Sequence, residues 1–189
     1  NHANDLELVL KTIEAASRAG ADAVKTQLFK AETLTLPNRD FSPKIIDKNS
    51  PWYGQSLFDL YEEASLPYEW YPKMLNCARS NSIDLFASVF DIESVEFALS
   101  LKFPVIKISS FELIHTPMIE YIKKRNIPSI ISTGMASKEE IERCVNIFGQ
   151  NKDKICLLKC TSDYPSSLES THIGQMTSLR DQFNVFVGL

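Results

Sequence analysis

A surplus of basic charge is absent. Lys and Arg number 20 against 24 Asp and Glu, a net charge of −4. Neutralising nucleic-acid phosphates needs a basic surface, so nucleic acid is not expected as a partner. Long apolar runs are also absent, and none approaches the ~20 residues of a membrane helix, so no membrane span is expected. The sequence does not open on a basic stretch leading into an apolar one, so no signal peptide is expected. Cysteine is sparse: Cys77, Cys144, Cys156 and Cys160 form no CxxC pair. They are expected as free thiols in a reducing cytoplasm. Histidine is sparser still. His2, His115 and His172 stand without the spacing of a zinc site, and no metal ligand is assigned within the chain. There is no GxSxG, no Walker loop and no GxGxxG after the first strand-like run, which counts against a hydrolase elbow, a P-loop and a dinucleotide fold.

The 189 residues are 44% hydrophobic and 23% charged. That is ordinary globular composition, enough for about one domain. Residues 4–19 place apolar side chains at helical spacing before Gly20, and 21–29 read as a strand. Residues 30–66 contain Pro37, Pro43, Pro51 and Gly54 and form an insertion too long for a plain connector. A regular beat follows. Strand-like runs over 83–89, 104–110, 128–134, 154–161 and 184–189 alternate with helical patterns over 91–102, 116–126, 137–149 and 168–182. Strands recurring every 21 to 30 residues, each an almost continuous apolar run, imply βαβ units in a parallel sheet covered on both faces. A doubly wound sheet and a (β/α)₈ barrel both fit. Six strands, a helix at the start and a strand at the end favour an α/β (β/α)₈ TIM barrel, here incomplete, lacking the first strand and the last βα units.

Barrel chemistry sits at the C-terminal strand ends. There the sequence repeatedly places polar groups that a core would reject: Lys25 and Gln27, then Ser88, then Lys107, Ser110 and Glu112, then Ser132, then Lys159, Ser162 and Tyr164. Inward lysines are costly unless they meet an anion. Two of them among hydroxyls fit a phosphate or carboxylate site. Glu112 fits a sugar-hydroxyl ligand or an acid/base. The aromatic group Trp52, Tyr53, Phe58, Tyr61, Tyr68, Trp70 and Tyr71 is expected to pack the insertion.

The blocks Asn1-His2 with Asp5-Leu6-Glu7, GADAVKTQ (20–27), FASVFD (86–91), KISSFE (107–112), STGM (132–135) and KCTSDYP (159–165) together resemble the sialic acid synthase family. The segment 52–70 and Phe111 are most similar to its pseudaminic acid synthase branch. The resemblance implies condensation of phosphoenolpyruvate with an N-acetylated aldose, giving a nine-carbon sialic-acid-like sugar and phosphate. It implies that Lys25, Ser88, Lys107, Ser110 and Ser132 hold phosphoenolpyruvate, with Ser162 near the phosphate. Gln27, Glu112 and Tyr164 would face the sugar, and Glu112 and Lys107 would be catalytic. It further implies a divalent metal, manganese or magnesium, with ligands outside this sequence. A C-terminal antifreeze-like domain, also outside it, would cap the partner's site in a homodimer, and the location would be cytoplasmic. Lys159 departs from the His common at that position and adds positive charge. Two rivals stay open: a sugar- or anion-binding barrel without catalysis, and a synthase using a phosphorylated sugar, for which no arginine cluster is evident.

Overall fold

The computed structural model describes residues 4–37, 41–163 and 165–189. The chain divides into two compact units, Asn1–Leu101 and Lys102–Leu189.

In the first unit, α1 (Leu6–Arg18) begins at Asp5, whose carboxylate accepts from the amides of Glu7 and Leu8. That carboxylate satisfies two of the amides a helix start leaves open. β1 (Ala23–Leu28) follows, then the insertion. The insertion is a folded element with a short helix, α2 (Ala31–Leu34), and a second, α3 (Leu57–Ala64). An antiparallel bridge joins Lys44 to Ser56. The Ile45 amide donates to the Gln55 carbonyl at 3.0 Å, and the Leu57 amide to the Pro43 carbonyl at 2.8 Å. Residues 38–40 of the insertion lie outside the described residues. After α4 (Tyr71–Ser80), β2 (Asp84–Val89) pairs parallel with β1, setting Lys25 opposite Phe86 and Gln27 opposite Ser88. α5 (Ile92–Ser100) starts on a complete capping box between Asp91 and Ser94.

The second unit repeats one pattern: β3 (Ile106–Ile108), α6 (Thr116–Lys124), β4 (Ser129–Ser132), α7 (Lys138–Phe148), β5 (Ile155–Leu158), α8 (Gln175–Phe183) and β6 (Phe186–Gly188). Successive strands pair parallel, with Lys107 opposite Ile130, Ser132 opposite Leu158, and Leu158 opposite Gly188. Strand alternation then sorts the faces. Ile106, Ile108, Ile131 and Leu157 take one face and are almost fully buried, as are Met118, Ile119 and Ile122 of α6 and Val145 of α7. Each such side chain contributes roughly 1.5–3 kcal/mol by leaving water. Lys107 and Ser132 take the other face.

One local device recurs. Just past the helix before each strand, a residue adopts positive φ: Gly20, Ser82, Lys102, Asn126, Gly149 and Asn184. This residue ends the helix and turns the chain back to the sheet, directly at five of the six and, after Gly149, through a 3-10 segment over Gly149–Lys154. The strands are shorter than the sequence suggests. β3 is held between Pro104, which has no amide for a ladder, and a 3-10 turn over Phe111–Ile114. The expected helix 168–182 is instead a 3-10 turn at Glu169–Thr171 followed by α8, broken where His172 takes a left-handed conformation. The insertion's aromatics are divided in their roles. Tyr61 meets Phe29 edge-on, while Tyr68 stacks on Phe97 and Tyr71 is fully buried. Trp52 and Tyr53 stay about half exposed.

Candidate substrate site

Each unit places cationic and hydroxyl side chains where its strands end. In the first unit, the pleat puts Lys25 and Gln27 on the face shared with Ser88. The Lys25 ammonium donates to Ser88 Oγ at 3.4 Å, and Ser88 is 2% exposed. Thr26 points to the opposite face, where its Oγ1 lies 2.9 Å from the Tyr71 hydroxyl. That contact pins α4 against β1 and fixes the pleat. Lys25 is exposed at the surface, and the partial desolvation it meets on this face lowers its pKa from the ordinary value. A bound anion would reverse that shift. Gln27 is exposed on the same face.

In the second unit three strand ends meet. Lys107 is 8% exposed; its ammonium donates to Ser132 Oγ at 2.5 Å and to the Ile108 carbonyl at 2.8 Å. The Cys160 thiol, just past β5, lies 3.3 Å from the same Ser132 oxygen. Ser110 Oγ accepts from the Gly134 amide at 3.2 Å. A side chain at Gly134 would press on its neighbours: a Cβ there would stand 2.5 Å from Ser162 Oγ, 3.0 Å from Ser110 Oγ and 3.2 Å from Cys160 Cβ. Lys107, Ser110, Ser132, Gly134, Cys160 and Ser162 therefore form one polar cluster around a buried cation. Such a cluster can hold a phosphate or carboxylate through charge-assisted hydrogen bonds.

Glu112 lies in the 3-10 turn that follows, and its Oε2 is buried without a hydrogen-bond partner. Burial raises its pKa. Hydrogen bonds from its own amide and from the Ser109 hydroxyl, with the charges of Lys107 and His115, offset this only in part. An acceptor oxygen held dry beside a cation suits the hydroxyl of a polyol or a proton in transit. The sign of the linkage is fixed. With its folded pKa above its unfolded one, ionised Glu112 costs stability at neutral pH and costs nothing below the ordinary carboxylate range. Glu112→Gln is expected to raise Tm at pH 7.5, because the amide carries no charge to desolvate. At pH 3.5 the gain should vanish. Thermal denaturation at both pH values checks this, and an equal gain at both would refute the ionisation account.

Lys159 is also buried, 7% exposed, and its ammonium donates to Thr161 Oγ1 at 3.0 Å. It lies just past the end of β5, as expected for a strand-end cation. Tyr164 lies outside the described residues. Cys160 is the member that the sequence reading missed as a site residue. It was legible: Leu158 pairs with Ser132, and two residues further along the same face is Cys160. Among the described residues, no three His, Cys, Asp or Glu side chains gather as a metal ion would require. No helix among them is long and apolar enough to cross a membrane.

The chain is 41% identical to a pseudaminic acid synthase of Campylobacter jejuni, over 190 aligned residues covering 100% of this chain and 55% of that protein. It is 32% identical to an N,N'-diacetyllegionaminic acid synthase of Legionella pneumophila, covering 100% of this chain and 54% of that protein. It thus spans about half the length of the curated relatives it matches. Among solved structures, the N-acetylneuraminic acid synthetase of Leptospira borgpetersenii superposes with a TM-score of 0.86 at 24% identity, over 100% of this chain and 60% of that one. At that identity the likeness shows the fold, the parallel α/β fold expected from the sequence. The NeuB family model matches residues 12–189. With parallel βα units, polar strand ends and that match over nearly its whole length, the chain belongs to the NeuB family.

Proposed function

We propose that this chain is the substrate-binding part of an enzyme that condenses phosphoenolpyruvate with an N-acetylated aldose, giving a nine-carbon sugar acid of the pseudaminic or sialic type. The observation that carries the reading is the buried Lys107 ammonium on Ser132, beside the Ser110–Gly134–Ser162 cradle. A dry cation ringed by hydroxyls and a backbone amide suits a small dianion whose charge changes during reaction. Lys25 and Ser88, bonded to each other in the first unit, are assigned to phosphoenolpyruvate by the family resemblance. The family resemblance assigns Gln27, Glu112 and Tyr164 to the sugar. The relatives are named as synthases, which favours this reading over a binding-only protein.

In this reaction C3 of phosphoenolpyruvate attacks the sugar aldehyde carbon and forms the new C–C bond. Water adds at C2, and the C2–O bond breaks to release phosphate. Lys107, Ser110, Ser132 and Ser162 orient the phosphoenolpyruvate and stabilise the departing phosphate. Glu112 accepts a sugar hydroxyl through its free Oε2 and is placed to manage a proton. The divalent metal that the resemblance implies, manganese or magnesium, would take its ligands from outside this sequence; the described residues gather no group to hold it, and no step here runs through it. A homodimer of the longer protein is part of the same proposal.

The test uses the full-length protein with phosphoenolpyruvate labelled with ¹⁸O at the bridging oxygen. Sugar-dependent phosphate release with the label in phosphate is the expected result. Release that ignores the sugar, or label retained in the organic product, would overturn the proposal.

A further inference from the structure

We infer that Phe111 and Met135 form an apolar shoulder on the polar cluster that selects the N-acyl group of the sugar substrate. The inference rests on the proposed reaction and deepens it. Phe111 is 68% exposed and Met135 60%. Each follows directly a residue of the cradle, and those two residues, Ser110 and Gly134, are joined by the 3.2 Å hydrogen bond from the Gly134 amide to Ser110 Oγ. The two apolar residues therefore stand one position beyond the two ends of one hydrogen bond. Single exposed apolar residues are ordinary on a protein surface. These two are set apart by their place, each directly after a cradle residue, and neither anchors its own segment. Leu113, 2% exposed, anchors the turn that Phe111 begins. Beyond Met135, α7 is started by the reciprocal bonds of Ser137 and Glu140 and packed by Ile141, Val145 and Phe148. Phe111 and Met135 are left to meet something else.

The occupant follows from polarity. The cluster beneath takes an anion, and the free Glu112 oxygen in the same turn takes a hydroxyl. A ligand that fills both and also covers an aromatic face and a polarizable thioether carries a small apolar group beside its polar ones. The acyl methyl of an N-acylated sugar has that character. A bare polyol or a phosphorylated sugar has no such group and would leave the shoulder wet.

The experiment compares Phe111→Ala and Met135→Ala in the full-length protein, with Met135→Leu as the conservative variant. Rates are read with an N-acetylated sugar and with its N-formyl analogue, which lacks the methyl. The Ala variants are expected to raise KM for the N-acetylated sugar about 5- to 20-fold. KM for phosphoenolpyruvate should stay within about twofold, and the preference for acetyl over formyl should shrink. Met135→Leu should retain most of that preference. Unchanged KM values, or equal changes for both sugars and phosphoenolpyruvate, overturn the shoulder while leaving the reaction standing. A change in sedimentation of the Ala variants reassigns the two side chains to a contact between copies and equally overturns it. A wild-type protein that releases no phosphate with either sugar removes the reaction itself, and the shoulder with it.

Discussion

Lys107→Met in the full-length protein is expected to cut phosphate release from phosphoenolpyruvate by about 10³-fold or more, without unfolding the chain. Two physical arguments combine. The ammonium is 8% exposed, donates to Ser132 Oγ and the Ile108 carbonyl, and stands close enough to Glu112 for its charge to act on that carboxylate. Methionine fills nearly the same volume without the charge, which keeps the packing while the bonds and the attraction to Glu112 are lost. Stability should therefore fall modestly with the fold retained. Catalysis loses the charge that orients the dianion and offsets the negative charge growing on the departing phosphate, where one preorganised donor is commonly worth 10²–10³ in rate. The variant also reports on Glu112. Lys107 holds the Glu112 pKa down, so its removal should raise that pKa further. Any residual rate that needs the Glu112 carboxylate should then titrate at higher pH on its acid side. Circular dichroism, steady-state rates and the pH profile read these effects separately. A near-normal rate in a folded variant would sink the assignment of Lys107.

The sequence made the alternation of strands and helices legible because both of its causes are local. Apolar runs such as ICLL and SIIS mark strands buried on both faces, and the Ser137–Glu140 box marks a helix start. Four of the six positive-φ turns were also marked by residue type: Gly20, Gly149, Asn126 and Asn184. Ser82 and Lys102 were not. They take the same conformation because the helix before and the strand after leave the chain no other path, a tertiary demand that composition does not encode. The folded character of 30–66 was hidden for a similar reason. Its Lys44–Ser56 bridge pairs residues with no alternating pattern between them. At the site, the charges and hydroxyls were legible as polar groups placed where a core would reject them. What was not legible was contact across strands. Cys160 enters the cluster because register carries the Ser132 face onto β5. Glu112 matters because one of its oxygens ends up buried without a partner, which depends on how the 3-10 turn closes.

Gly134 is the sharpest case of such a contact, and Gly134→Ala is expected to be the second most damaging single change. The added Cβ would lie 2.5 Å from Ser162 Oγ and 3.0 Å from Ser110 Oγ, the first closer than atoms tolerate. The Ser162 side chain can swing away, but only by leaving the cradle. The Ser110 hydroxyl is less free because it accepts from the Gly134 amide itself. The expected result is a rise in KM for phosphoenolpyruvate and a fall in kcat. Together they should amount to about 10²-fold in kcat/KM, the scale of losing one or two oriented donors. Overpacking should also lower stability by about 1–3 kcal/mol. A second substitution separates the two effects. Ser162→Ala removes the atom in closest conflict, so the double variant Gly134→Ala/Ser162→Ala should recover most of the lost stability, an interaction measurable as a double-mutant cycle. It should not recover activity, because the hydroxyl is gone. If the double variant regains both, Gly134 only packs the loop and Ser162 plays no part in holding the anion. If it regains stability alone, the empty space at Gly134 exists to keep the Ser162 and Ser110 hydroxyls on the ligand.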